Sequence, residues 1–145
     1  MPDKPVTSVS LTWESGFRFT ARDSEGHQIT VDAPKHDGDG YEGMKPGGLL
    51  LSALAGCSGI DVVNILERQR QQVTGIEINV NGKQQPEAPW VMDEIELDYV
   101  ITGKDLSEKS VQRAIKLSEE KYCFVGATLG GRSKITSRYR IIDEA

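Results

Sequence analysis

Two cysteines, Cys57 and Cys123, offer the most reactive side chains in this chain, because a thiolate is both a nucleophile and a metal ligand. Their separation matches no zinc spacing and no dense secreted disulfide framework, so in a reducing compartment they are either packing residues or reactive thiols. Cys57 sits in the apolar turn Leu54-Ala55-Gly56-Cys57, with Ala53, Leu54, Ile60 and Asp61 as its helical neighbours. Taken alone, that is the setting of a packing cysteine, which behaves as a small hydrophobe. If Asp61 comes close it raises the thiol pKa further, and a reactive thiol here needs a cation brought from elsewhere in the fold or from a second chain. Both readings stay open at this level.

The remaining polar candidates carry less chemistry. His27 follows a turn glycine and His36 lies in a loop, and with no nucleophilic serine motif they form no hydrolytic triad, so both are expected at the surface. His36-Asp37-Gly38-Asp39-Gly40 has incomplete calcium-loop spacing and no entering helix, which makes it a solvated loop and leaves no metal expected. Gly130-Gly131-Arg132 reads as a turn into a strand rather than an anion site. Neither a phosphate loop nor a dinucleotide fingerprint is present, and no cofactor is implied.

The elements that must position the thiols follow from hydrophobic periodicity. From Val6 to Asp32 an alternating pattern broken at Gly16 and at Ser24-Glu25-Gly26 predicts a three-stranded meander. Its middle strand puts Phe17, Phe19 and Ala21 on one face and Arg18, Thr20 and Arg22 on the other. Pro34 to Pro46 has a loop composition. The run from Leu49 to Cys57 is apolar on every side of a helix and must be buried, while Asp61 interrupts it short of the ~20 residues of a membrane span. Its polar tail, Glu67 to Gln72, is expected to carry the helix to the surface. Strands around Val73 to Gly82 and Trp90 to Thr102 should pair as a hairpin, and a helix capped by Ser107 should run to Tyr122, with Cys123 at or just past its end. Ile135, Ser137, Tyr139 and Ile141 alternate in a last strand. The order βββ-α-ββ-α-β predicts an α+β fold of antiparallel strands around a buried central helix. So oily a helix exceeds what one small sheet can wrap, which predicts an obligate homodimer.

With 145 residues the chain fits one domain, 1–145. It is 37% hydrophobic and 27% charged, which suits a globular protein rather than a disordered or membrane one. A net charge of -5 with no concentrated basic face argues against nucleic acid. Met1 to Val9 holds no apolar run, so a signal peptide is not expected and the cytoplasm is the default location.

The stretch Lys45-Pro46-Gly47-Gly48-Leu49-Leu50-Leu51-Ser52-Ala53-Leu54-Ala55-Gly56-Cys57-Ser58-Gly59-Ile60-Asp61-Val62-Val63, followed downstream by Glu119-Glu120-Lys121-Tyr122-Cys123-Phe124-Val125, resembles the OsmC/Ohr family over nearly the whole chain. The resemblance implies an intertwined homodimer that reduces organic hydroperoxides or hydrogen peroxide in the oxidative or osmotic stress response. It casts Cys57 as the attacking thiol and Cys123 as the resolving one, joined in a disulfide that an external dithiol reductant reopens. It also implies an arginine that activates the thiol, matched by Arg18, with Arg22 on the same strand face. Family peroxidases hold that arginine with a glutamate just after the helix proline. Here Gly47 and Gly48 stand there, and Glu42 in the preceding loop is the substitute. The Ile60-Asp61-Val62-Val63 continuation is similar to the less characterised branch of the family. The alternative reading is a dimeric binding or redox-sensing protein of the same fold without efficient turnover. A third is a purely structural thiol pair.

Overall fold

A computed structural model describes residues 3–144. The chain divides into two compact units, residues 1–50 and 51–145.

The first unit is a three-stranded antiparallel sheet of β1 (Val9–Ser15), β2 (Arg18–Asp23) and β3 (Gln28–Val31), in that spatial order. Gly16 and Gly26, at φ 54° and 89°, make the turns. The register places Leu11 opposite Ala21 and Trp13 opposite Phe19, while Ala21 and Phe19 in turn face Ile29 and Val31. One face therefore carries Leu11, Trp13, Phe19, Ala21, Ile29 and Val31, and the other Thr12, Thr20, Arg22 and Thr30. The loop after β3 folds back along it, where the Met44 amide donates to the Thr30 carbonyl and the Asp32 amide to the Met44 carbonyl. Gly43 permits this return: its φ is 104°, and a Cβ there would lie 2.5 Å from the Thr30 oxygen.

Helix α1 (Pro46–Arg68) begins at Pro46, whose fixed φ suits a first turn. It runs 23 residues as one long helix, continuing past Asp61 where the apolar run ends, and by length and composition alone it would pass for a membrane span. Its buried stripe, Leu54, Ser58, Val62 and Leu66, repeats every fourth residue and belongs to the core of the second unit. Within residues 49–57, expected to be buried on every side, Leu54 is buried but Leu50 is exposed in the single chain, and Ile60 and Val63 are exposed in the amphipathic stretch that follows. Of the polar tail, Glu67 and Arg68 continue the helix and the residues after them leave it. Arg70 takes a left-handed φ of 57°, its amide bonding to the Glu67 carbonyl and that of Gln71 to Leu66, so a Schellman turn ends α1 and β4 starts at Gln72.

In the second unit β4 (Gln72–Gln84) and β5 (Met92–Lys104) form the long hairpin expected. β6 (Lys134–Asp143) pairs with β5 in parallel, a correction to an all-antiparallel sheet. The physical reason is the crossover through three helical pieces, which returns the chain to the same end of the sheet. The first is α2 (Glu108–Leu117), capped as predicted by Ser107, whose hydroxyl accepts from the Ser110 amide at 3.2 Å. A π-helical turn (Ser118–Tyr122) and a short α3 (Phe124–Leu129) follow, where a plain helix end and loop were expected. Ile95, Leu97, Tyr99 and Ile101 of β5 form one core with Leu54, Val62 and Leu66 of α1 and Val111, Ala114 and Ile115 of α2.

Candidate active site

Cys57 and Asp61 stand four residues apart on α1, so one helical face presents both. Cys123 reaches them from the N-cap of α3, where its Sγ accepts the Gly126 amide at 3.3 Å. The two sulfurs and a carboxylate oxygen of Asp61 all lie within 4.8 Å of one another. Cys57 is half-buried and Cys123 buried. The two thiols that the sequence separates thus share one site, close enough for a disulfide to form after a small side-chain adjustment. Two sulfurs and a carboxylate are also a donor set that could hold a borderline-soft ion such as zinc, although no sequence motif marked one.

Asp61 is a site residue whose role the sequence left conditional. Its Oδ2 accepts from Ser118 Oγ at 3.0 Å, Ser118 Oγ lies 3.1 Å from Ser58 Oγ, and Ser58 is hydrogen-bonded to the Tyr99 hydroxyl. Ser58, Ser118 and Tyr99 are buried, so a chain of satisfied hydroxyls ties the carboxylate to the core strand β5. Polar positions on otherwise apolar faces were the available signal, but their convergence from three elements depends on the fold.

The electrostatics follow from burial. Desolvation pushes the Cys123 thiol up to about 11, with Cys57 and the Asp61 charge adding to the rise and the Gly126 amide opposing it. Burial likewise raises the Tyr99 hydroxyl, and the Glu119 and Cys123 charges reinforce the effect against the hydrogen bond it shares with Ser58. A cavity of 310 Å³ opens beside Cys123, with Leu54, Leu97 and Ile135 as apolar wall and Tyr99, Glu119 and Lys134 as polar lining.

The first unit brings together the other two sequence candidates. Arg18 Nε lies 3.3 Å from Asp32 Oδ2, and Arg18 Nη1 lies 3.6 Å from Glu42 Oε2. Asp32 was not singled out from sequence, yet it is the buried partner of the three. It also accepts the backbone amides of Glu42 and Ala33, and with Arg18 these hold its carboxyl below the usual carboxylate range, the Glu42 amide acting most strongly. Glu42 is thus linked to this ion pair through its backbone and its side chain. Arg22 is on the polar face of β2. His27 and His36 are exposed and paired with Asp23 and Asp39.

Comparison with known proteins agrees with this architecture. The family model described as OsmC-like protein matches residues 36–138. Protein YhfA of Escherichia coli K12 is 37% identical over 132 residues, covering 91% of this chain and 96% of YhfA. A hypothetical protein from Aquifex aeolicus VF5 has a crystal structure that matches with a TM-score of 0.86 at 34% identity, over 98% of this chain and 100% of that one. The organic hydroperoxide resistance protein OhrB of Bacillus subtilis shares the fold at a TM-score of 0.63 and 18% identity, over 93% of this chain and 98% of its own.

Proposed function

The chain belongs to the OsmC-like protein family, and from that premise we propose that it is a cytoplasmic thiol peroxidase for organic hydroperoxides or hydrogen peroxide. The observation that carries this reading is the convergence of Cys57 and Cys123 within 4.8 Å. In the first step the Cys57 thiolate attacks the O–O bond, an alkoxide or hydroxide leaves, and Cys57 becomes a sulfenic acid. Cys123 then condenses with it, forming the disulfide and releasing water. Two electrons from an external dithiol reopen the pair. The cation that a reactive Cys57 needs is assigned to Arg18, oriented by Asp32 and by Glu42 in place of the glutamate missing at Gly47 and Gly48.

The working form in this proposal is a homodimer. Leu11, Trp13 and Ile29 on the apolar sheet face, and Ile60 and Val63 on α1, are exposed in a single chain. Covering them is worth roughly 25 cal/mol per Å² of apolar surface. Light scattering should show twice the chain mass, and a folded species of 15.9 kDa at micromolar concentration would overturn the dimer.

A dithiol-coupled assay with cumene or tert-butyl hydroperoxide tests the reaction, and turnover no higher than that of Cys57→Ser would sink it. One observation favours a second reading, a dimeric redox-sensing or binding protein without efficient turnover: the charged group converging on both sulfurs is the Asp61 carboxylate. Slow stoichiometric oxidation of Cys57 without recycling would support that alternative.

A further inference from the structure

Asp61 is the side chain at the thiol pair to which the peroxidase steps give no part. We propose that Asp61 is the general base of disulfide closure, taking the proton from Cys123 as its sulfur attacks Cys57 and delivering it to the leaving group. The proposal rests on the Cys57–Cys123 pairing of the preceding reading, but not on which oxidant loads Cys57.

The geometry supplies each part. A carboxylate oxygen of Asp61 converges on both sulfurs, so one group faces the thiol that must lose a proton and the sulfur from which a group must leave. The carboxylate is also held in place: Ser118 Oγ donates to Oδ2 at 3.0 Å, and Ser118 is itself held by Ser58 and, through it, by Tyr99. Asp61 is therefore aimed by hydroxyls rooted in the core rather than left to swing into solvent. Cys123 has need of a base, because desolvation lifts its thiol far above neutral pH. The Gly126 amide, 3.3 Å from Sγ, stabilises the sulfur anion as the proton leaves. In the peroxidase cycle the step balances without another reactant. The sulfenic acid of Cys57 and the thiol of Cys123 give one S–S bond, the S–O bond breaks, and the Cys123 proton passes through Asp61 to the departing hydroxide as water.

The titratable groups around Cys123 are Cys57 and Asp61 of α1, Tyr99 of β5, Glu119 of the π-helical turn and Lys134 of β6. Asp61→Asn neutralises one of these and leaves the others.

The test needs no peroxide. Methyl methanethiosulfonate at one equivalent converts the half-buried Cys57 to a methyl disulfide, and attack by Cys123 then expels methanethiol, which intact mass spectrometry of acid-quenched samples follows as loss of the adduct. Cys123→Ser must keep the adduct. We expect the wild type to close at a rate that changes little between pH 7 and 9. Asp61→Asn should close on the order of a hundredfold more slowly at pH 7, rising about tenfold per pH unit as hydroxide takes over, and Asp61→Glu should recover part of the loss. Ser118→Ala should slow closure less, without the steep pH dependence. Wild-type rate and profile in Asp61→Asn would overturn the assignment. So would a wild-type rate that itself climbs tenfold per unit from pH 7, a result that stands even if the asparagine variant does not fold. An adduct that persists in the wild type refutes the pairing, and with it both readings, whereas a failed hydroperoxide assay beside normal closure refutes the peroxidase alone.

Discussion

Each unit of the chain builds a three-stranded sheet with one oily face, and the two differ in what covers it. In the β4-β5-β6 sheet, Ile95, Leu97, Tyr99 and Ile101 are no more than 2% exposed beneath α1 and α2. In the β1-β2-β3 sheet, Leu11, Trp13 and Ile29 are 54%, 62% and 52% exposed. The period-two alternation is as regular in the second case as in the first. Alternation decides which face of a sheet is apolar, and another layer of structure decides whether that face is dry. For residues 1–50, the proposal is that the layer comes from a second copy of the chain.

Truncation on the two faces is the strongest way to break that comparison. Ile101→Ala should cost about 2–5 kcal/mol, the usual range for emptying a fully packed site, by the cavity it leaves as well as the lost burial. Leu11→Ala should cost little if the face is wet in solution. If a second copy covers it, the cost should rise and the denaturant midpoint should shift with protein concentration, as linked association requires. Equal and concentration-independent losses at both sites would erase the distinction.

A smaller effect should appear at alkaline pH in the covered unit alone. Cys123 has its folded pKa raised from 9.0 to about 11, so the unfolded chain gives up this proton first. The stability contributed by the neutral thiol is complete below about pH 9 and falls as pH rises toward 11. Cys123→Ala should flatten the slope of denaturant midpoint against pH in that window. An unchanged slope would place its cause elsewhere.

The smallest effect belongs to the open unit, on the acid side. Asp32 has its carboxyl held below 3.8, so its contribution is present above that pH and is lost as pH falls through the lower folded value. Arg18→Gln removes one of the weaker causes and leaves the dominant Glu42 amide, so the acid-unfolding midpoint should move only slightly upward in pH. Glu42→Gln keeps that amide too and should move it less. A large shift in either variant would show that the guanidinium holds this loop more strongly than the backbone does.

Much of the architecture was legible because it is local. Alternation located all six strands within a few residues and the hairpin order with them, and Ser107 announced its helix through an ordinary cap. The thiol pair was legible only through its motifs, since nothing in the spacing of Cys57 and Cys123 places them in contact. Asp32 escaped notice because its significance is tertiary: it sits at the end of a strand, and its partners arrive from β2 and from a loop that folds back. The parallel pairing of β6 escaped because strand direction depends on the crossover and not on the strand's own residues. The break of Ser118–Tyr122 from α-helical winding escaped for another reason, since Ser-Glu-Glu-Lys-Tyr is compatible with an ordinary helix.

That π-helical turn makes the thiol pair a matter of counting as well as of residue type. Its closing bond, from the Cys123 amide to the Ser118 carbonyl at 2.8 Å, spans five residues where an α-helix spans four. Each residue of an α-helix advances the chain by about 100° of rotation, so the extra one is a phase slip of more than a quarter turn. Upstream of it Ser118 faces α1, and downstream of it Cys123 can face the same helix. Any substitution of the exposed Glu120 that preserves length should leave this phase untouched. Deleting that one residue would let the segment wind as plain α-helix, with every other side chain intact and Cys123 carried around to a different side.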